Sequence, residues 1–304
     1  MKDLLPPGMR VFERGWLSSN NILFTSGRTA LVDSGYSSHS GQTVALVRNA
    51  LGARPLDALL NTHLHSDHCG GNAALQVAYS QVRTYVPPGQ VEQVRHWDPV
   101  ALTYVPTGQV CPRFGVDGVL TPGTDVELGE GPWQIHAAPG HDPHSVVLFE
   151  PQSRTLISAD ALWRNGFGVV FPELEGEHAF DEVAKTIDVI ESLAPKVVVP
   201  GHGAPLTDVG EAIDFARKRL DGFLRDPPKH ARHAMKVLLK FKLLELQRVR
   251  MEDFAAWAAS TSYFALVHRR FFGDQSIAGW IDELTADLVR SGAAARDGEF
   301  VLNL

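Results

Sequence analysis

The run Asn61-Thr-His-Leu-His-Ser-Asp-His-Cys-Gly-Gly71 places three histidines and one aspartate within six consecutive positions. Both residue types are good ligands for a borderline divalent metal ion. In an extended chain, residues two apart project to the same side, so His63 and His65 are predicted to bind one ion together. Asp67 would continue on that side, but the serine and the glycines indicate a turn, and the adjacent His68 must point elsewhere. The run therefore predicts a strand end that delivers ligands to two neighbouring metal ions.

Three further candidate ligands each follow a short apolar run that stops at a turn. These runs are Ile135-His-Ala-Ala-Pro-Gly-His141, Thr155-Leu-Ile-Ser-Ala-Asp160 and Lys196-Val-Val-Val-Pro-Gly-His202. Short runs rich in β-branched residues that stop at glycine or proline are typical of buried strands. Ligands at strand ends sit on rigid elements, as a preorganised metal site requires. The side chains predicted to converge are His63, His65, Asp67, His68, His141, Asp160 and His202.

In this order the motifs resemble those of the metallo-β-lactamase superfamily, whose signature is the His-x-His-x-Asp-His run followed by separate His, Asp and His motifs. The resemblance covers roughly residues 10–215. It implies a first-metal set of His63, His65 and His141. It implies a second-metal set of Asp67, His68 and His202, with Asp160 as the bridging carboxylate. Val32-Asp33-Ser-Gly35 also resembles an early strand-end motif of the family, whose aspartate hydrogen-bonds a ligand histidine.

Strand-like runs that alternate with helical ones indicate an α/β layered domain. The resemblance implies, more narrowly, the αβ/βα four-layer sandwich, with two central sheets and the metals at one edge. The best candidate domain boundary is Asp226-Pro-Pro-Lys229, because paired prolines stop a helix. We therefore expect a catalytic domain over residues 1–228 and a C-terminal helical appendage over residues 229–304.

Apolar residues at helical spacing predict amphipathic helices on both sides of this break. The predicted helices cover residues 208–224, 232–246, 251–259 and 276–290, and a short hairpin covers residues 295–302. Three helices and a hairpin after the break resemble a winged-helix-type cap. Its expected role is to cover the core, to shape the pocket wall or to contact a second copy in a homodimer.

Composition and charge restrict the classes of function. Residues 1–228 carry a net charge of −9 and residues 229–304 one of +2, which disfavours nucleic acid as a partner. No stretch of about 18 uncharged apolar residues predicts a transmembrane helix. The start, Met1–Gly8, lacks a signal-peptide core. Because Cys69 and Cys111 do not make a disulfide framework, a reducing, cytoplasmic location is expected, with Cys69 a packed residue rather than a ligand.

The predicted ligand set indicates hydrolytic chemistry. Two ions about 3.5–4 Å apart lower the pKa of a shared water, and a metal-bridging hydroxide is the expected nucleophile. The residual positive charge of the ions favours a small-molecule substrate with an anion near the scissile bond. Asp67 and Asp160 are the expected catalytic carboxylates, and the resemblance implies that Asp67 accepts or relays a proton. An activated ester, a thioester, a lactone or a phosphodiester would suit this chemistry.

The resemblance narrows the substrate further. Asp160 disfavours β-lactam hydrolysis, because one antibiotic-cleaving subclass carries a cysteine at this position and another lacks the bridging acid. Glyoxalase II-like thioesterases and acyl-homoserine-lactone hydrolases both retain the whole ligand set. A small ester, thioester or lactone is therefore the favoured substrate. The basic residues with which glyoxalase II holds glutathione have no clear match in this chain.

The segment that follows Asp160 is predicted to overhang the metals. Its aromatic residues are expected to form an apolar wall for an acyl group, and its arginine or asparagine to meet an anion or oxyanion. The alternative is that the aromatics only pack and the arginine is solvated. The candidate substrate residues are Trp163, Arg164, Asn165 and Phe167, with Phe171 as a further part of the wall and His144 as a more distant candidate.

Two other functions remain open. The first is a phosphodiesterase or RNA-processing nuclease that uses the tail as a nucleic-acid arm, which steeply salt-dependent binding to an oligonucleotide would support. The second is a mononuclear-iron sulfur dioxygenase, which a single iron per chain would indicate. Zinc is the expected metal, although imidazole and carboxylate ligands also suit iron and manganese.

Overall fold

The computed structural model describes residues 4–304, so the expectation of no signal-peptide core, which concerns Met1–Gly8, lies partly outside the described residues. The strands are β1 Met9–Phe12, β2 Asn21–Phe24, β3 Ala30–Val32, β4 Ala58–Leu60, β5 Arg83–Val86, β6 Gly118–Val119, β7 Asp125–Leu128, β8 Gly131–Ala137, β9 Val146–Glu150, β10 Thr155–Ala159, β11 Val197–Pro200, β12 Arg248–Arg250, β13 Ala294–Asp297 and β14 Phe300–Asn303. The α-helices are α1 Ser40–Leu51, α2 Ser66–Cys69, α3 Asn72–Ala78, α4 Val91–His96, α5 Tyr104–Thr107, α6 Phe171–Glu175, α7 Ala179–Leu193, α8 Val209–Arg225, α9 Pro227–Leu246, α10 Met251–Ser260, α11 Ser262–Phe271 and α12 Ile277–Arg290.

The first sheet has the strand order β1-β2-β3-β4-β5-β6. Its first three strands form an antiparallel meander, and β3, β4, β5 and β6 then pair in parallel. The central strands β2, β3 and β4 are buried along their whole lengths. Burial on both faces explains why these runs are continuously apolar rather than alternating, with Asn21 as the exception.

The second sheet has the strand order β11-β10-β9-β8-β7. β9 pairs antiparallel with both β8 and β10, and β10 pairs parallel with β11. It follows that β8, β10 and β11 run in the same direction. Their carboxyl ends therefore meet at one edge of the sheet, which is where the predicted histidine and aspartate motifs begin.

Apolar side chains fill the space between successive layers. Phe24 of the first sheet packs edge-on against Trp133 of the second, with ring centroids 5.3 Å apart, at the centre of the core between the sheets. Helices α1 and α3 cover the outer face of the first sheet, for example through Val47. Helices α7 and α8 cover the second sheet, for example through Ile187. This arrangement confirms the predicted αβ/βα sandwich.

The C-terminal part of the chain contains helices α9 to α12 and a small sheet of order β12-β14-β13. The predicted break lies where expected, but Pro227 and Pro228 occupy the first turn of α9 instead of a loop. Proline is tolerated there because the first backbone N–H groups of a helix have no partner within it. Asp226 caps this helix, its side chain accepting a hydrogen bond from Lys229 N at 3.2 Å.

Helix α11, Ser262–Phe271, was not predicted, and β12 adds a third strand to the predicted hairpin. Only Thr261 separates α10 from α11, so no glycine or proline marks the junction in the sequence. The buried rings of Phe254, Phe264 and Trp280 join these helices into one apolar cluster, distinct from the cores around the two large sheets. The domain boundary at residue 228 stays a prediction.

Between residues 4 and 304, no helix combines the length and the apolarity needed to cross a membrane.

Candidate metal centre

The first group of predicted ligands is formed by His63, His65 and His141. His141 Nε2 lies 3.2 Å from His63 Nε2 and 2.8 Å from His65 Nδ1. The loops after β4 and β8 deliver these side chains from the two sheets to their common edge. The three rings meet edge-on, with centroids between 4.5 and 4.9 Å apart, so that one nitrogen of each faces a common point.

The second group is formed by Asp67, His68 and His202. Asp67 Oδ2 lies 3.1 Å from His202 Nε2 and 3.8 Å from His68 Nε2. Asp67 and His68 lie on the single-turn helix α2, which follows the first two histidines directly, and His202 follows β11. The turn anticipated after His65 is thus a short helix, and it separates the two groups.

Asp160 lies between the two groups and presents one oxygen to each. Its Oδ2 is 3.4 Å from His141 Nε2, and its Oδ1 is 3.4 Å from His68 Nε2. The preceding residue, Ala159, has φ +46°, and the register between β10 and β11 shifts at this point. A left-handed conformation costs a non-glycine residue roughly 1–2 kcal/mol. The strained strand end turns the Asp160 carboxylate toward the cluster.

Two imidazole rings of the cluster, those of His68 and His141, are oriented by hydrogen bonds on their far sides. His68 Nδ1 donates to Asp33 Oδ2 at 2.8 Å, and Asp33 is itself held by Thr62 N and Thr62 Oγ1. His141 Nδ1 donates to Val169 O at 2.5 Å. Because each of these bonds fixes the proton on Nδ1, the lone pair on Nε2 points into the cluster.

The donor set fits divalent metal ions. His68 Nε2 is buried and, among residues 4–304, has no hydrogen-bond partner, because its 3.4 Å contact with Asp160 Oδ1 lacks hydrogen-bond alignment. Two nitrogens bound to one zinc at about 2.0–2.1 Å lie roughly 3.3 Å apart in a tetrahedral site. The His63–His141 separation of 3.2 Å is close to that value. Buried nitrogen lone pairs this close need a proton or a cation between them.

The pKa values of His63, His65 and Asp160 favour the deprotonated state that binds a metal ion. Burial, together with the neighbouring histidines, lowers the pKa of His63 well below its usual value and that of His65 to about 4. Burial alone would raise the pKa of Asp160, but His68 and His202 hold it well below its ordinary value. The exception is His68, whose pKa Asp160, Asp33 and Asp67 raise well above the ordinary value despite burial. A bound cation would take the place of that proton.

Two glycines leave room for the ligands. A Cβ atom at Gly201 would lie 2.2 Å from Asp160 Oδ1 and 2.9 Å from His68 Cε1. A Cβ atom at Gly168 would lie 2.4 Å from His141 Nδ1. Contacts this short are not tolerated, so both positions require glycine for space rather than for backbone freedom.

A cavity of about 740 Å³ opens over the cluster, and residues of helices α9, α11 and α12 form much of its lining. Of the predicted substrate residues, Trp163, Asn165 and His144 line the cavity. Phe171 lines it too, and its ring centroid lies 5.1 Å from that of His65. Trp163 Nε1 also donates to Asp160 Oδ1 at 3.3 Å. This part of the predicted apolar wall is therefore adjacent to the cluster.

The structure does not bring Arg164 and Phe167 to the cavity. Arg164 is exposed and lies 3.6 Å from Asp208, and Phe167 is buried in the core beneath Arg219. This corresponds to the alternative of a solvated arginine and a packed aromatic. Cys69 is likewise packed, 3.1 Å from Tyr104 Oη and 3.8 Å from Cys111 Sγ.

Several residues that border the cavity were not anticipated from the sequence. Trp16 is 58% exposed and stacks on His202, with ring centroids 5.2 Å apart, and it meets Trp163 edge-on at 5.5 Å. Arg219, Lys236 and Phe241 reach the cavity from α8 and α9. The one usable signal in the sequence was the tryptophan itself, because aromatic side chains often line ligand pockets. For the residues on α8 and α9, helical spacing does not reveal which neighbour a helix face contacts.

Comparison with known proteins agrees with this architecture. The family model of the metallo-beta-lactamase superfamily matches residues 14–202. The chain is 24% identical over 159 residues to the probable metallo-hydrolase YybB of Bacillus subtilis, covering 52% of this chain and 70% of YybB. It is 30% identical over 161 residues to a hydroxyacylglutathione hydrolase of Anaeromyxobacter dehalogenans, covering 52% of each, so it spans about half the length of that relative.

Solved structures share the fold. A beta-lactamase domain protein from Burkholderia ambifaria matches with a TM-score of 0.60 at 19% identity, over 99% of this chain and 92% of the other. A metallo-beta-lactamase family protein from Thermus thermophilus matches with a TM-score of 0.57 at 17% identity, over 98% and 99%. TTHA1623, solved in a di-iron-bound form, matches with a TM-score of 0.53 at 28% identity, over 66% and 96%.

Because the family model covers more than half of its 304 residues, the chain belongs to the metallo-beta-lactamase superfamily, as a metal-dependent hydrolase.

Proposed function

We propose that the protein hydrolyses a small ester, thioester or lactone at a centre of two divalent ions. The observation that carries this proposal is the position of Asp160, which presents Oδ2 to His141 and Oδ1 to His68. A carboxylate shared in this way suits two neighbouring ions better than one. His63, His65 and His141 would hold the first ion, Asp67, His68 and His202 the second, and Asp160 both.

The reaction needs a nucleophile, a polarised carbonyl and a proton acceptor. When bound, two divalent ions supply the first two by acidifying a water molecule and withdrawing charge from the attacked oxygen. Asp67 supplies the third, because its carboxylate borders the cavity and the adjacent His68 and His202 keep its pKa below the ordinary value, against the effect of burial. An ionised carboxylate beside the reacting group accepts a proton during attack and can return it to the leaving group.

The walls of the cavity suit an acyl substrate. Trp16, Trp163 and Phe171 surround the cluster on its open side, and Phe171 packs against both His65 and His141. Apolar rings this close to the ligands exclude bulk water and favour an apolar group next to the scissile bond. His144 and Asn165 add polar groups at the margin, where they would orient the substrate.

The names of relatives favour a thioester among these substrates. Several are hydroxyacylglutathione hydrolases, and an acylglutathione is a thioester. The substrate of those proteins does not transfer directly, since each match covers only part of the relative. Zinc is the metal that we propose, with iron as the alternative that the di-iron form of TTHA1623 suggests.

Elemental analysis combined with a hydrolysis screen tests the proposal. We expect two divalent ions per chain and turnover of acyl thioesters, aryl esters or lactones, with little turnover of bis-(p-nitrophenyl) phosphate. His65→Ala should abolish this turnover, whereas His96→Ala, a change at an exposed histidine on α4, should leave it unaltered. Full activity in a preparation stripped of metal would refute the proposed chemistry.

A further inference from the structure

A second cavity lies between α8 and the first half of α9. Its volume is about 780 Å³, and we call it the α8–α9 groove. It is lined by side chains of α8 and of the first half of α9, and by Phe272, which follows α11. The proposed reaction at the metal centre assigns no role to this groove.

The lining of the groove is strongly cationic. Lysines and arginines contribute five positive side chains to it, and the single acid is Asp226, which is engaged in capping α9. Arg232 and Lys236 are paired with Asp287, at 2.8 and 3.7 Å. Within residues 4–304, the remaining three cations, Lys218, Arg219 and Lys229, form no salt bridge. Unpaired cations concentrated in one concave surface create a site for an anion.

Arg219 lines the groove and is held in place by several contacts. Its guanidinium lies over the rings of Phe167 and Phe223 and donates to Asn165 O at 3.1 Å and to His233 Nε2 at 2.7 Å. Burial, and then the charges of Arg219 and Lys236, lower the pKa of His233 to about 4. The histidine therefore stays neutral beside the arginine, and the local potential remains positive.

The groove and the cavity over the metal centre share a wall. Arg219, His233 and Lys236 line both of them. Asn165, which receives a hydrogen bond from Arg219, belongs to the loop that begins at Asp160. An extended ligand in the groove would therefore lead over Arg219 toward the cluster.

The groove also offers an aromatic surface. Phe215, 47% exposed, projects from α8, and Phe272 also lines the groove. Unpaired cations next to an exposed ring match a phosphorylated nucleoside, because the cations pair with phosphates and the ring stacks on a base. About two to three negative charges, as on a nucleoside diphosphate, would be neutralised. A long polynucleotide fits less well, because residues 1–228 carry a net charge of −9.

We propose that the α8–α9 groove binds the nucleoside diphosphate tail of an extended substrate whose ester or thioester reaches the metal centre. The inference rests on the proposed hydrolysis for the reacting end of that substrate. The groove itself is testable without turnover.

Calorimetric titration of the metal-loaded protein with ADP tests the groove directly. Because phosphates also bind metal ions, the titration is repeated with Asp160→Ala, and we expect its groove binding to remain. The double variant Lys218→Gln/Lys229→Gln should weaken ADP binding about tenfold. Arg217→Gln is the matched control, since Arg217 neighbours Lys218 but pairs with Asp188 and Glu191 of α7, at 2.8 and 2.6 Å.

Turnover then connects the groove with the metal centre. Two acyl thioesters are compared, one ending in a nucleoside diphosphate and one without it. The double variant should raise KM for the tailed thioester about tenfold at constant kcat, so that its advantage over the untailed one is lost. If neither thioester is hydrolysed but ADP binding still depends on Lys218 and Lys229, the proposed function fails and the groove assignment stands.

Two results would overturn the assignment. One is ADP binding that the double variant leaves unchanged, or that is lost in Asp160→Ala, which would locate the nucleotide at the metals. The other is the absence of ADP binding, and tight, steeply salt-dependent binding of single-stranded RNA in that case would indicate a polynucleotide instead.

Discussion

The metal cluster and the helical wall that faces it are held in place by different means. In the cluster, His68 and Asp160 follow strand ends and are almost fully buried, and His68 is fixed from behind by Asp33. In the wall, Arg219 and Lys236 project from helices, remain partly exposed and depend on other side chains for their orientation. The proposed chemistry is thus located on the rigid sheets, and the proposed substrate contacts on the surfaces of α8 and α9.

This difference predicts how each region responds to mutation. Groups on strand ends with buried partners cannot move to compensate for a lost neighbour, so changes in the cluster should have large effects on metal binding and turnover. Side chains of the wall are individually replaceable, so changes there should alter KM moderately and leave the metals in place.

Asp160→Ala should produce the largest effect. The variant removes the carboxylate shared by both ligand groups, and we expect kcat/KM to fall by at least about 1,000-fold, or roughly 4 kcal/mol of transition-state stabilisation. Steady-state kinetics with elemental analysis measure both losses, and circular dichroism checks that the sandwich persists. Turnover within tenfold of wild type would contradict the bridging role.

Gly201→Ala tests whether space at the strand end is required. The new Cβ would lie 2.2 Å from Asp160 Oδ1, so the carboxylate must move, and we expect metal affinity to fall about 100-fold. Competition with a chromogenic chelator measures the affinity. Gly210→Ala is the control, because nothing lies within 4 Å of a Cβ at that helical position. Unchanged metal affinity in Gly201→Ala would show that the Asp160 carboxylate can move without disturbing metal binding.

Asp33→Asn should have a smaller effect on the same property. The amide retains the shape of the carboxylate but loses the charge that holds His68 Nδ1–H, and we expect metal affinity to fall about tenfold. The same competition with a chromogenic chelator measures this loss of metal affinity. An effect as large as that of Asp160→Ala would instead mean that Asp33 is needed for folding, which thermal unfolding would reveal.

Trp16→Ala should show the smallest effect, because Trp16 borders the cavity without being one of the predicted ligands. Loss of the stacked ring on His202 should raise KM about threefold, in line with the roughly 0.5–1.5 kcal/mol typical of aromatic pairs. Metal content should not change. A loss of metal equal to that in Asp33→Asn would place Trp16 functionally with the cluster, and the contrast between the two regions would weaken.

Much of the site was predictable because its information is local. The run from His63 to His68 is continuous in sequence, and His141, Asp160 and His202 each follow a recognisable strand end. Alternation of strands and helices also indicated a layered α/β domain, and the family resemblance narrowed it to the sandwich. The positions of Arg164 and Phe167 were less predictable. Neighbouring residues of the loop after Asp160 point in different directions, and the sequence does not show which of them faces the cavity, the core or the solvent.

The C-terminal part illustrates the limit of sequence reasoning. Its net charge of +2 gave no reason to expect an anion site, since the total over residues 229–304 hides the pairing of some cations with acids and leaves out Lys218 and Arg219 of α8. Lys218 and Lys229 lie eleven positions apart on two helices, and nothing in either helix indicates that they line one groove.

By itself, the sequence determined the ligand types, their order along the chain and the layered α/β fold, because strand burial and metal ligation leave strong, short-range patterns. Only the tertiary structure decided which helix faces border the metals, which cations remain unpaired and how two cavities come to share one wall. Those properties depend on the packing of α8 and α9 against the sandwich, and helix packing is set by contacts between residues far apart in the chain.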